Sequence, residues 1–186
     1  MKLIDDLKRY KPFNEQEAAD KEMILYHLEN TPDVFCRENS VCHVTTSAWV
    51  VNKERTKVLM AYHKIYDSWA WLGGHADGES NLMKVAMTEA CEESGIKDVT
   101  AVSDDIYSVE VLTVDGHIKR GKYVSSHLHL NITYLLEASE DEKLHMNEAE
   151  NSDVAWLTFD EVFEKSNEKW FKDNIYSKLI DKLKTV

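Results

Sequence analysis

The 186-residue chain lacks most of what would place it in a specialised class. It has three cysteines, Cys36, Cys42 and Cys91, an odd number without metal-type spacing. A disulfide scaffold and a zinc knuckle are therefore excluded, and reduced thiols in a cytosol are expected. Basic residues are scarce: 22 Lys and Arg stand against 34 Asp and Glu, a formal charge of −12. The one compact basic cluster, Lys119, Arg120 and Lys122, suits a phosphate, a ribose or a solvated turn, and a general nucleic-acid surface is not expected. No apolar run reaches membrane length, and Met1-Lys2-Leu3-Ile4-Asp5-Asp6 is charged at once, so neither a signal peptide nor a membrane partner is expected. The expected compartment is the cytoplasm. The only prolines are Pro12 and Pro32, and no internal repeat or low-complexity linker is visible. What remains is a 43% apolar chain of a length that fits one domain with a modest extension.

The most informative stretch is Gly73 to Ile96, G-G-H-A-D-G-E-S-N-L-M-K-V-A-M-T-E-A-C-E-E-S-G-I. Ser80 or Asn81 can cap a helix, Leu82 to Cys91 is apolar-rich and free of proline, and Gly95 stands where a helix would stop. Glu89, Glu92 and Glu93 then belong to its last turns. At ~100° per residue, Glu89 and Glu93 fall at the edge of the stripe of Leu82, Val85, Ala86, Ala90 and Ile96, while Lys84, Thr88 and Glu92 lie further round. Acids four residues apart repel by ~0.2–0.5 kcal/mol, and acids at a helix C-terminus oppose its dipole by ~0.3–1 kcal/mol. A multivalent cation reverses both penalties, and oxygen-only ligands favour magnesium, manganese or calcium over zinc. An ordinary solvated acidic face explains the helix alone equally well.

The stretch before the helix separates these readings. The whole run resembles the box of the Nudix hydrolases, written G-x5-E-x7-R-E-U-x-E-E-x-G-U with U apolar. Glu89, Ala90, Glu92, Glu93, Gly95 and Ile96 match its second half, with Thr88 where the family has Arg. Gly74 is followed by Glu79 one residue early, so the loop is one shorter and the segment after it one longer. The resemblance implies that Glu89, Glu92 and Glu93 hold metal, Mg2+ or Mn2+, together with the backbone carbonyl of Gly73. In the family the Arg pairs with the loop Glu, here Glu79. Thr88 cannot, which leaves Lys84 as a partner, or hydrogen bonds from Asp77 and Ser80 to the loop backbone.

Elsewhere the pattern predicts helices over Ile4–Tyr10 and from an Asn14/Glu17 capping box to about Glu29, forming an N-terminal extension (1–35) ahead of a Nudix domain (36–186). Met23, Ile24, Tyr26 and Leu28 are expected to pack this arm on its own domain or, as the lesser alternative, on a second copy in a homodimer. Strands are expected over Val41–Val51, Lys57–His63, Asp98–Thr113, Val154–Leu157, and once or twice within His117–Glu137. Thr158 or Asp160 should open a helix, and Glu168–Lys184 a terminal one. The expected fold class is α/β of the α+β type, a mixed sheet between helical layers in an α/β/α sandwich, as the resemblance also implies.

Candidate substrate-binding residues come from two places. Period-two spacing puts His127, His129 and Asn131 on one face of a strand, a polar row fit to line a pocket; zinc is disfavoured there because no third nitrogen or sulfur ligand is near in sequence. His75 follows the glycines and can reach a phosphate. Tyr66 and Trp69 can stack on a base, while Trp71 suits the core. For the proton-accepting base, the resemblance allows a box glutamate such as Glu92 or Glu93, or an acid of a later loop, for which Glu148 and Glu150 are candidates. The expected activity is magnesium-dependent cleavage of a pyrophosphate bond in a small nucleoside-diphosphate-linked metabolite. A nucleotide sensor without turnover and an isoprenoid diphosphate isomerase are the alternatives.

Overall fold

The computed structural model describes residues 2–64, 67–119, 121–147 and 151–185. Two helices open the chain, α1 (Lys2–Arg9) and α2 (Glu15–Asn30). Strands β1 (Cys42–Val51), β2 (Lys57–His63), β3 (Ser68–Ala70) and β4 (Leu72–His75) follow, then helix α3 (Leu82–Ser94). Next come β5 (Val99–Ala101), β6 (Ser108–Val114), β7 (His117–Lys119), β8 (Lys122–Val124), β9 (His127–Ala138) and β10 (Asn151–Thr158). The last stretch holds α4 (Phe159–Lys165), a short α5 (Lys169–Phe171), a π-helical turn over Lys172–Tyr176 and α6 (Ser177–Leu183). The main sheet is mixed, in the order β10-β2-β1-β9-β5, with β3 on β2, β4 on β1 and β6 on β9; β7 and β8 form a separate ribbon.

The chain divides into two compact units, and β1, β4, α3 and β9 contribute to both. The first holds residues 1–47, 74–85 and 105–134. Here Asn14 caps α2 by accepting the Glu17 N–H at 2.9 Å. The second half of the capping box is absent, because the Glu17 carboxylate turns inward, accepting from Phe13 N–H at 2.7 Å, Tyr10 Oη at 2.6 Å and Ser108 Oγ at 2.7 Å. Helix α2 lies along β6, where Asp20 accepts the Val111 N–H and Gln16 donates to the Val109 carbonyl. Ile24 and Leu28 are buried there as expected, but Met23 and Tyr26 are exposed, since the helix meets the strand along one narrow face. Strand β6 runs antiparallel to β9 from Ser108↔Thr133 to Val114↔His127.

The second unit holds residues 48–73, 86–104 and 135–186. Strands β10 and β2 pair antiparallel from Asn151↔His63 to Thr158↔Lys57, with an irregularity between Asn151 and Asp153. Trp49 stacks on Tyr176 at 5.8 Å in the core, and Trp71, half-buried where the sequence suggested a core position, meets Tyr176 and Phe171 edge-on at its border. Thr158 heads α4 with a complete capping box to Glu161.

Three elements differ from the sequence pattern. Asp98–Thr113 is two strands, because the chain leaves the ladder over residues 103–106, between the Val102 N–H bond to the Leu135 carbonyl and the Tyr107 N–H bond to the Thr133 carbonyl. His117–Glu137 is three, the first two forming the β7–β8 ribbon. The terminal helix is broken into three pieces by the π turn that seats Ile175 and Tyr176 in the core.

Candidate functional site

Helix α3 carries the first group of chemistry-bearing residues. Asn81 Oδ1 accepts the Lys84 N–H at 3.2 Å and caps its start. Its end is set by Gly95, at φ +73°, whose N–H returns to the Cys91 carbonyl at 2.8 Å. A Cβ at Gly95 would lie 2.7 Å from the Cβ of His145, so no other residue fits that stop without movement. The helix buries Leu82, Ala86 and Ala90, with Ile96 beyond it, and exposes Lys84, Thr88 and Glu92, the stripe that the 3.6-residue period requires.

Of the three acids, Glu92 is exposed, Glu89 half-buried, and Glu93 only 5% exposed. The Glu93 carboxylate accepts the Gly73 N–H on Oε2 at 2.9 Å and the Asn151 Nδ2 on Oε1 at 3.2 Å. Its backbone carbonyl accepts the Asn147 N–H at 3.4 Å. One residue of α3 thus ties together the first glycine of the run and both ends of the segment 147–151. Asn151 was not singled out in the sequence, where its neighbours Glu148 and Glu150 drew attention; those two lie outside the described residues, as do Tyr66 and Arg120. The donor set of Glu89, Glu92, Glu93 and the Gly73 backbone is all oxygen and anionic, which fits a hard divalent cation. Trp69, half-buried, packs edge-on against Tyr62 at 5.7 Å.

In the first unit, Glu79 is held as one of the sequence options requires. Its Oε2 meets Lys84 Nζ at 3.2 Å, and its Oε1 accepts the Asn81 N–H at 3.0 Å. The Asn81 N–H and then the Lys84 ammonium keep this carboxyl below its ordinary range. Nearby, Asp77 is bound by the Arg37 guanidinium, and Asn81 makes the helix cap.

The polar face of β9 is divided. Asn131 is 1% exposed, donates to Glu110 Oε2 at 2.9 Å and Thr133 Oγ1 at 3.1 Å, and accepts from Thr45 and Ser47 at 3.0 Å each. Its amide is thus engaged within the sheet and not presented to a ligand, a correction to the expected pocket-lining row, because Glu110 and Thr133 crowd the same face. Glu110 and Glu17, both fully buried and joined through Ser108, extend this network.

His127 and His129 stay together, Nε2 to Nε2 at 3.3 Å, and meet two histidines from other strands. The His43 ring lies 5.1, 4.9 and 4.9 Å from those of His75, His127 and His129. Burial, then the neighbouring Arg37, lowers His75 from its usual 6.5 to about 4. Burial, then His75 and His43, lowers His129 to about 2, and burial also lowers His43. Sequence reading missed His43 because nothing in Val41–Val51 shows that β1 lies beside β4 and β9.

Among the described residues no helix is long and apolar enough to cross a membrane. The model of the NUDIX domain matches residues 42–179. No curated protein matches the chain. Solved structures do, at low identity. A C. elegans Ap4A hydrolase in a binary complex is 15% identical with a TM-score of 0.54, covering 76% of this chain and 95% of that one. A NUDIX-family hydrolase from Clostridium perfringens is 20% identical with a TM-score of 0.55, covering 77% and 97%. The E. coli dihydroneopterin triphosphate pyrophosphohydrolase is 14% identical with a TM-score of 0.54, covering 74% and 95%. At such identities the likeness speaks for the fold. The family match, over most of the chain and including the run from Gly73 to Ile96, speaks for descent: this protein belongs to the Nudix family.

Proposed function

We propose that this chain is a magnesium-dependent pyrophosphohydrolase acting on a small nucleoside-diphosphate-linked compound. The observation that carries the reading is Glu93, a buried carboxylate at the unfavourable end of a helix, fixed between Gly73 N–H and Asn151 Nδ2 and flanked by Glu89 and Glu92. Glu89, Glu92, Glu93 and the Gly73 carbonyl would hold the cation. A bound magnesium or manganese ion supplies charge neutralisation on a diphosphate and a water of lowered pKa.

The protein's own part begins with position. Two hydrogen bonds leave the Glu93 side chain little rotational freedom, so ligand geometry is set before a substrate arrives. Glu92, exposed one position before Glu93, is the box acid that remains a candidate for the base. Glu150 is the base we assign to the attacking water, supported by the bonds of its flanking residues Asn147 and Asn151 to Glu93. Glu150→Gln should lower kcat by ~100- to 10,000-fold at nearly constant KM. Trp69, held edge-on by Tyr62, offers an indole face to a base.

Incubation with a panel of nucleotide sugars, dinucleotides and nucleoside triphosphates, with and without magnesium, tests the reading by product analysis. Turnover that needs magnesium supports it. A second reading, a nucleotide sensor, is favoured by Thr88 standing where the family carries Arg. Tight nucleotide binding with no turnover of any diphosphate would establish that one. Conversion of an added isoprenoid diphosphate into a product of unchanged mass would point instead to an isomerase.

A further inference from the structure

The structure assigns a second metal site, chemically unlike the first, to the histidine cluster of the first unit: we propose that His43, His75 and His129, with His127 beside them, bind one zinc-class transition-metal ion. The ligand nitrogens of His43, His75 and His129 all lie within 4.8 Å of one another. Tetrahedral zinc with Zn–N bonds of about 2.05 Å needs nitrogens ~3.3 Å apart, a spacing small ring rotations supply. His127 Nε2 and His129 Nε2 already stand at 3.3 Å.

Orientation argues further than proximity. His43 Nδ1 donates to the Asn39 carbonyl at 3.0 Å, and His127 Nδ1 to the Ser125 carbonyl at 2.8 Å. In both rings the proton is therefore on Nδ1 and Nε2 carries the lone pair that can coordinate, the arrangement by which backbone carbonyls fix ligating histidines. His43 is 4% exposed, and its Nε2 has no hydrogen-bond partner. A buried acceptor without a partner is unfavourable, and a cation at the centre of the cluster would supply one. In the metal-free protein His129 Nε2–H donates to the His127 lone pair; coordination moves that proton to His129 Nδ1, with none released.

The ligand class follows from the donors. Imidazole nitrogen suits zinc, cobalt, nickel and copper, whereas magnesium prefers the carboxylate oxygens of α3. Three or four histidines from β1, β4 and β9 would also clasp strands distant in sequence. The inference stands on this geometry alone and is independent of the hydrolytic reading.

The test is a zinc titration of tag-free protein by chelator competition in excess magnesium, with cobalt(II) as the spectroscopic probe. One zinc per chain, visible cobalt d–d bands, and zinc-induced 15N shifts at Nε2 of His43, His75 and His129 are expected. His75→Gln and His129→Gln should each weaken zinc binding at least ~10-fold. Glu93→Gln should leave it unchanged. Unchanged affinity in both histidine variants, displacement of zinc by magnesium, or its loss in Glu93→Gln would overturn the assignment. Circular dichroism checks the fold; should His129→Gln fail to fold, His75→Gln and the wild-type nitrogen shifts still decide.

Discussion

Replacing Glu93 by glutamine keeps the side-chain shape and removes one acceptor. The carboxylate accepts the part-buried Gly73 N–H on one oxygen at 2.9 Å and the buried Asn151 Nδ2 on the other at 3.2 Å. A glutamine amide has a single oxygen, so whichever way it sits, one donor faces an NH2 group. An unmatched buried donor costs about 1–3 kcal/mol. Removing one charge of the Glu89/Glu93 pair returns only ~0.2–0.5 kcal/mol. The metal-free variant should therefore be less stable than the wild type by about 0.5–2.8 kcal/mol. Magnesium widens the gap. At one hundred times its dissociation constant a ligand stabilises the wild type by ~2.7 kcal/mol, and a variant that has lost a carboxylate ligand gains much less. Urea denaturation followed by far-ultraviolet circular dichroism, in EDTA and in magnesium, reads both numbers. Equal stability in EDTA would refute the hydrogen-bond argument, and an equal magnesium-induced rise in both proteins would refute the ligand argument.

Further changes test other parts of the account. Gly95→Ala forces a Cβ into the left-handed region and 2.7 Å from His145, so a loss of at least ~1–3 kcal/mol is expected in thermal melts; a neutral effect would contradict the helix-stop argument. Asn131→Ala strips partners from Glu110, Thr45 and Ser47 at once and should cost about 2–4 kcal/mol by urea denaturation, against under 1 kcal/mol if the network is dispensable. His75 and His129 stay neutral when folded while the unfolded chain protonates near 6.5. Their contribution is whole above pH 6.5 and falls as pH drops towards about 4, by up to ~1.4 kcal/mol per pH unit per histidine; His129→Gln should flatten the stability profile over that window, and an unaltered slope would count against their burial.

Much of α3 was legible in the sequence because its signals are local. A cap at Asn81, an apolar stripe and a stop at Gly95 act within a few residues of the helix they define, and the spacing of the acids follows from the helix. The histidine cluster was half legible. The pair at 127 and 129 stands in one strand, but His43 joins it only through the pairing of strands far apart in sequence, which no local pattern encodes. Glu17 and Glu110 were opaque for another reason: an acid in a charged, amphipathic stretch reads as solvated, and only the apposition of α2 and β6 shows both to be buried. The same apposition leaves Tyr26 outside, where its apolar ring alone would have put it within.

The most direct measurement of the central claim is turnover in 18O-enriched water with magnesium, read by mass spectrometry of the products. Attack of water on phosphorus predicts a single 18O in one product phosphoryl group, with turnover lost on chelation of the metal and in Glu93→Gln. Products without the label, or turnover that survives both chelation and the substitution, would contradict it.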